Sequence, residues 1–487
     1  MTTPQYEGGI LENGYWDVMK PELRASANAR MFKSFLDLIR PAITLRAGEP
    51  RKPLRRTAWL DGLRGFAAFL VYWQHHQLWA HGGLFSGIVF ENAFGFNGRH
   101  YFAALPGVRT FFTGGHYAVT VFFIVSGYVL STKPLSLIHA GDQLKLSENL
   151  ASALFRRWIR LFIPVICTTF LYMASWHIFG IWTSYPLHEK NLRDEMWMWY
   201  TEFKNFSFMF RAGGEPWFTY NFHAWSIPVE FKGSIVVFTF LQALSRSTRK
   251  ARLLSEVGMM FYFMYIVDGW YCCLFMAGVL LADLDLLAVA NDLPHFFQKF
   301  EPYKEFIYYN LFFIGIYLGG VPSHTSDMKV LQESRGWYYL SLLKPQAVYD
   351  PKWFYLFWAA LFTVSSTPRI WWLKTFFETR FCQYMGRISY AFYLIHGPIL
   401  WIVGDRLYCA VGYFQEAHLT ALPTWINAFP LSKSGPLGLE FGFLAPHLIL
   451  LPLTLWSAEV VTKLFDTPSV KFAQWTYNIT LAPSEKS

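Results

Sequence analysis

Apolar residues in this chain fall in long runs rather than in an alternating or heptad pattern, and the runs follow one another almost without pause from residue 59 to residue 464. Runs of this length satisfy their own backbone groups as helices across a hydrocarbon core of about 30 Å. They predict spans near 59–79, 116–133, 160–180, 225–244, 254–268, 269–290, 305–322, 353–368, 384–403 and 440–464. The predicted fold class is an all-α membrane protein, with about ten transmembrane helices in one bundle. The shortest pair of runs flanks Asp268-Gly269-Trp270, where a tight turn must join them. Residues 1–56 carry Pro4, Pro21, Pro41, Pro50 and Pro53 and end in Arg51, Lys52, Arg55 and Arg56. They read as a polar amino-terminal segment without a signal-peptide pattern, 57–466 as the membrane domain and 467–487 as a tail.

Composition sharpens this reading. Of 487 residues 53% are hydrophobic and 20% aromatic, and only 15% are charged, against roughly 25% in soluble proteins. Disorder, collagen and a disulfide scaffold are excluded. The net charge of +9 sits in basic clusters beside apolar spans, which argues for topology rather than for nucleic acid. Lys and Arg favour the cytosolic side. Placing Arg156–Arg160, Arg246–Arg252 and Arg369–Arg387 there puts both termini in the cytosol. The glycosylation sequon at Asn205 then faces away from the cytosol, and that at Asn478 faces it. Cys167, Cys272, Cys273, Cys382 and Cys409 have neither the spacing nor the histidine partners of a metal site, so no metal is expected.

Polar residues inside the spans narrow the chemistry, because an ionised group at the bilayer centre costs ~3 kcal/mol or more and is kept for a reason. The first span carries Asp61, Arg64, His75 and His76. Arg64 and His75 share a helical face with roughly 16 Å of rise between them, one near the cytosolic mouth and one deep, whereas His76 is turned by about 100°. The second span contains Phe122-Phe123-Ile124-Val125-Ser126-Gly127. Gly and Ser permit close helix approach, and no G-x-S-x-G surrounds Ser126, so packing outweighs nucleophilic attack. Arg156, Arg157 and Arg160 lie in a loop entering the third span, with Arg156 and Arg160 an i, i+4 pair. They fit two readings: positive-inside anchors, or guanidinium forks for the phosphates of an anionic cofactor. The fourth span opens with His223-Ala224-Trp225-Ser226-Ile227-Pro228-Val229-Glu230. Glu230 is a poor packing residue; pairing in the neighbourhood of Lys232, protonation, or orientation of a histidine from another helix are its open roles. Ser389, Tyr393 and His396 recur at helical steps and form one polar stripe facing the bundle interior.

Taken in order, these residues resemble the acyltransferase 3 family of integral membrane acyltransferases. The resemblance rests on the Asp-Gly-Leu-Arg opening with Arg64 and His75, Phe-Phe-x-x-Ser-Gly at 122–127 and Arg156-Arg157-x-x-Arg160. Trp225 to Glu230 and Ser389-Tyr390-x-x-Tyr393-Leu-x-His396 complete it. The aromatic-rich chain looks most like fungal members, several of which acylate secondary metabolites, whereas bacterial relatives modify glycans. The resemblance implies transfer of an acyl group, commonly acetyl, from acyl-CoA to an acceptor hydroxyl, with His75 as general base. Arg64, Arg156, Arg157 and Arg160 would then hold the donor, and Glu230 and His396 would shape the acceptor side or orient the imidazole. Ser126, or a backbone N–H near Gly127, stands as oxyanion donor or packing residue. The expected partners are the lipid bilayer, in an endomembrane such as the endoplasmic reticulum, and a small hydroxylated lipophilic acceptor. Rival readings are a proton-coupled transporter, a glycan O-acetyltransferase, and a different membrane acyltransferase in which His396 is the essential histidine.

Overall fold

The computed structural model describes residues 37–41, 53–82, 100–183, 185–186, 188–210, 217–324 and 326–482. The chain divides into two units, Met1–Ala47 and Gly48–Ser487. Of the first, residues 37–41 are described, with a helical turn at 37–39. The predicted segment 1–56 otherwise lies outside the described residues, apart from 53–56. The second unit is all-helical among the described residues.

Each predicted span falls on a helix. They are α1 (Ala58–His81), α2 (Gly115–Ala140), α3 (Gln143–Phe179), α5 (Ser226–Ala243), α6 (Arg249–Phe261), α7 (Trp270–Val289), α8 (Lys304–Gly319), α9 (Pro351–Ser366), α10 (Arg380–Ile399) and α12 (His447–Val461). Between them lie α4 (Leu192–Phe206) and α11 (Asp405–Val411), and α13 (Thr467–Thr480) follows. Six helical stretches are long and apolar enough to cross a membrane: Gly115–Ala140, Gln143–Phe179, Thr219–Ala243, Trp270–Val289, Arg380–Val411 and Phe441–Thr480. The other predicted spans differ for identifiable reasons. The 24 residues of α1 include an aspartate, an arginine and three histidines, while α6, α8 and α9 have only 13, 16 and 16 residues.

Two helices run further than expected. α3 begins at Gln143 and has 37 residues, so Arg156, Arg157 and Arg160 lie inside a continuous helix and not in a loop entering one. At 1.5 Å per residue it is about 55 Å long, well beyond the hydrocarbon core. Its start is fixed by Gly141 at φ 70° closing α2 and by the Asp142 carboxylate accepting the Lys145 N–H at 3.1 Å. From Gln143 to Ile163 the sequence then offers neither glycine nor proline to stop it. The last span likewise passes through a π-helical turn at Thr462–Asp466 into α13, which brings the Tyr477 ring 5.5 Å from Phe155 of α3. Much of the expected tail is therefore helix.

Two glycine-lined crossings set the centre of the bundle. A Cβ on Gly65 would overlap the Gly386 backbone, and one on Gly386 the Asp61 carbonyl, so α1 and α10 touch backbone to backbone. Gly127 and Gly278 do the same for α2 and α7, against the Phe275 and Ile124 carbonyls. The α1–α10 contact matters most for chemistry, because it brings together the two helices that carry His75 and His396.

Candidate active site

Pro398, inside α10, has no N–H, and this frees the carbonyl of Leu394 one turn earlier. The Asn221 Nδ2 fills it at 2.8 Å. Asn221 belongs to a 3-10 segment, Thr219–Trp225, that leads into α5, so the bond pins this segment against α10 and carries His223 toward His396. A second tie comes from Tyr393, whose hydroxyl donates to the His223 carbonyl oxygen and lies 2.8 Å from the Ser226 hydroxyl. On the other side, the Gly115 N–H at the start of α2 donates to Gln74 Oε1 at 2.5 Å, fixing the residue beside His75.

The result is a stack of three imidazoles. His75 lies on His223 with ring centroids 3.6 Å apart and planes 11° from parallel, and His396 lies 5.0 Å from His75 and 4.8 Å from His223. His223 and His396 are buried, and His75 keeps part of its surface accessible. The hydrogen bonds fix the proton positions. His396 Nδ1 is 2.7 Å from the Tyr393 carbonyl, which can only accept, so Nδ1 carries the proton and Nε2 of the neutral ring is an acceptor. His75 Nδ1 is 2.8 Å from that Nε2 and must donate to it. The lone pair of His75 is thereby left on Nε2, which has no protein partner among the described residues. His76 faces away, with Nδ1 2.8 Å from the Tyr408 hydroxyl in a group that includes Tyr72 and His447.

At the other end of α1 the charged residues sort differently from the sequence expectation. Glu230 does not reach a histidine. It accepts from Arg157 Nη2, while Arg157 Nε donates to Ser234 Oγ at 2.8 Å, so two residues expected on opposite sides of the site neutralise one another. Both are largely buried, with side chains 9% and 16% exposed. This pairing of Glu230 and Arg157 was not legible because the partners are 73 residues apart in sequence. Arg156 Nε bonds back to the Ser152 carbonyl at 3.0 Å. Arg64 and Arg160 lie within electrostatic reach of one another and of Asp466, and neither guanidinium has a hydrogen bond to protein among the described residues. Asp61, which the sequence singled out beside Arg64, accepts from Arg55 at 2.9 Å.

The sequence matches the acyltransferase domain, acyltransferase 3, over residues 57–432. The chain belongs to that family. It is also 28% identical over 488 residues to the O-acetyltransferase PaAT-1 of Phomopsis amygdali, a match that covers 93% of this chain and 91% of that protein. No solved structure matches.

In this membrane acyltransferase, then, the structure brings His75 and His396 together, sets Arg64 and Arg160 at the far end of α1, and gives Glu230 to Arg157. Ser126 is half-buried on α2 and bonds to none of the three histidines, whereas its neighbour Gly127 makes the helix contact. Ser389 bonds within its own helix, to the Gly386 carbonyl at 2.9 Å. Two residues not singled out from sequence join the site. His223 is one. His116, at the start of α2, is the other: it lies within electrostatic reach of His75 and edge-on to Trp353, with Nδ1 buried and unpartnered. Both stand at the edges of predicted spans, where a histidine gives no periodic signal.

Three histidine nitrogens within 4.8 Å of one another raise the question of a metal. Coordination needs three in-plane lone pairs converging on one point. Here His75 and His223 are face to face, and His75 Nδ1 is engaged with His396, so the rings as arranged fit stacking and hydrogen bonding and do not cradle a cation.

Proposed function

We propose that this protein is an integral membrane O-acyltransferase that moves an acyl group, acetyl in the first instance, from acyl-CoA to a hydroxyl of a small lipophilic acceptor such as a secondary metabolite. The observation that carries the reading is the bond relay from the Tyr393 carbonyl through His396 to His75, which presents an unprotonated Nε2 on an accessible ring edge. An alcohol is a poor nucleophile until a base takes its proton, and a neutral imidazole of fixed tautomer does so at physiological pH. The relative named an O-acetyltransferase supports an acetyl donor and an oxygen acceptor.

In this mechanism the acceptor hydroxyl sits on His75 Nε2, and His396 holds the ring and shares the positive charge that develops. Arg64 and Arg160, whose guanidinium groups make no hydrogen bond to protein among the described residues, would hold the phosphates of the donor at the cytosolic mouth. The roughly 16 Å of rise from Arg64 to His75 is a length that an extended pantetheine arm spans. Arg157 and Glu230 brace α3 against α5 beside that mouth. The accompanying topology has ten spans and both termini in the cytosol, in an endomembrane such as the endoplasmic reticulum.

The test uses microsomes containing the full chain, labelled acetyl-CoA and a panel of hydroxylated lipophilic metabolites. Wild type is expected to acetylate at least one member, and His75→Ala to lose the activity while keeping its detergent-solubilised elution profile. A folded His75→Ala variant with near-normal turnover would remove the base assignment.

A further inference from the structure

His223 has no part in the mechanism above, yet ring contacts and backbone ties hold it in place from several sides. Its ring lies flat on His75, and Trp401 covers it at 5.1 Å. Its carbonyl is held by the Tyr393 hydroxyl, and Asn221 anchors the same segment to α10. The ring itself is not held by hydrogen bonds. Nδ1 is buried without a partner, while Nε2 bonds to no protein group among the described residues and is not sealed off. A neutral imidazole carries one N–H. With the proton on Nδ1 a donor would be sealed away unpaired; with the proton on Nε2 it opens where a bound molecule can accept it. His75 cannot share this role, since its Nδ1–H is committed to His396 and its Nε2 is the base.

Resting on the acyl-transfer reading, we propose that His223 is a second catalytic histidine, whose Nε2–H hydrogen-bonds the carbonyl oxygen of the acyl thioester as that oxygen becomes an oxyanion. The acceptor oxygen bonds to the carbonyl carbon, its proton passes to His75 Nε2, and the carbonyl π pair moves onto the oxygen facing His223. The oxyanion then re-forms the C=O bond and the carbon–sulfur bond breaks. The thiolate takes the proton from His75, leaving the ester and free coenzyme A with both rings as they began. His223 keeps its proton throughout, and the stacked pair never needs two charges at once.

The experiment compares His223→Phe, which keeps a flat ring on His75 but has no N–H, with His223→Gln, which offers an amide donor. Both are assayed with acetyl-CoA and an acceptor from the panel, and by acetyl-CoA hydrolysis with water as acceptor. His223→Phe is expected to lower kcat by about 10²- to 10³-fold, the loss typical of one oxyanion donor, with KM for acetyl-CoA within about threefold. His223→Gln should recover at least about tenfold of that loss, and the rise of rate with pH should be unchanged in both. A His223→Phe enzyme within about fivefold of wild type, a glutamine variant no better than the phenylalanine one, or stoichiometric zinc in wild type that vanishes in both variants would overturn the proposal. Loss of wild-type transfer altogether would instead refute the underlying acyltransferase mechanism. Should His223→Phe fail to fold, His223→Gln alone decides, since a folded glutamine enzyme with a loss beyond about 10³-fold contradicts the donor role.

Discussion

At the scale of single residues, the informative quantity is which atom of His75 is left without a partner. The Tyr393 carbonyl fixes the His396 tautomer, and His396 fixes that of His75. Removing the middle member therefore frees the ring to adopt the wrong tautomer as well as a wrong orientation. His396→Ala is expected to lower kcat by about 10²-fold or more with little change in KM, in the manner of other histidine-orienting groups. Steady-state kinetics on the solubilised enzyme checks this, and equal kinetics for variant and wild type would show the relay to be idle. The sign of the pH response follows from the proposed mechanism: as the base, His75 would have to be unprotonated, so kcat/KM should fall as pH drops and His75 becomes imidazolium. His75 and His396 were legible in sequence because polar residues inside apolar runs stand out. His223 was not, because it precedes its helix, and its role depends on a carbonyl freed by Pro398, 175 positions away.

At the scale of helices, two kinds of contact organise the bundle, and they predict different consequences. The Gly127–Gly278 crossing has no room for a side chain on either helix. Gly278→Val should destabilise by about 1–3 kcal/mol or prevent insertion, since neither backbone can yield. A fall in the melting temperature of detergent-purified protein measures it, and an unshifted melt would mean that the helices separate freely. The Arg157–Glu230 pair joins α3 to α5. Arg157→Ala strands a largely buried carboxylate, and breaking such a pair costs about 3–5 kcal/mol. Its effect should therefore appear as lost protein rather than as a raised KM. Arg64→Ala and Arg160→Ala, which break no hydrogen bond to protein and each leave the other guanidinium near Asp466, should lower the melt less than Arg157→Ala does and raise KM for acetyl-CoA. Positions of helices were readable from hydropathy alone, but their ends were not. α3 begins ahead of its apolar run because the Asp142 cap and the absence of glycine or proline up to Ile163, rather than hydrophobicity, set where it starts, and α13 follows the last apolar run through the π-helical turn at Thr462–Asp466 with Pro468 accommodated in its first turn.

For the whole molecule, the separation of the two ends of α1 becomes an argument about sides of a membrane. The guanidinium groups of Arg64 and Arg160 stand at one end, and the imidazole stack lies about three turns along the helix from Arg64. Arg55, bonded to Asp61, and Arg156, within electrostatic reach of Arg160, lie at the same end, the distribution expected of a cytosolic face. A donor as large and as charged as acyl-CoA does not cross a bilayer, so in the proposed mechanism its phosphates would remain on the side where they are first met and only the acyl end would descend toward His75. A lipophilic acceptor has no such restriction and can approach from within the membrane. Sealed microsomes separate these routes. With acetyl-CoA added outside, which is the cytosolic face, the full activity should appear before any detergent is added, and a membrane-impermeant thiol reagent outside should capture the released coenzyme A. If activity is latent until the vesicles are opened, the arginine end of α1 faces the lumen and the charge-based orientation is reversed. In that case Asn478 rather than Asn205 would become the sequon to which glycans are attached.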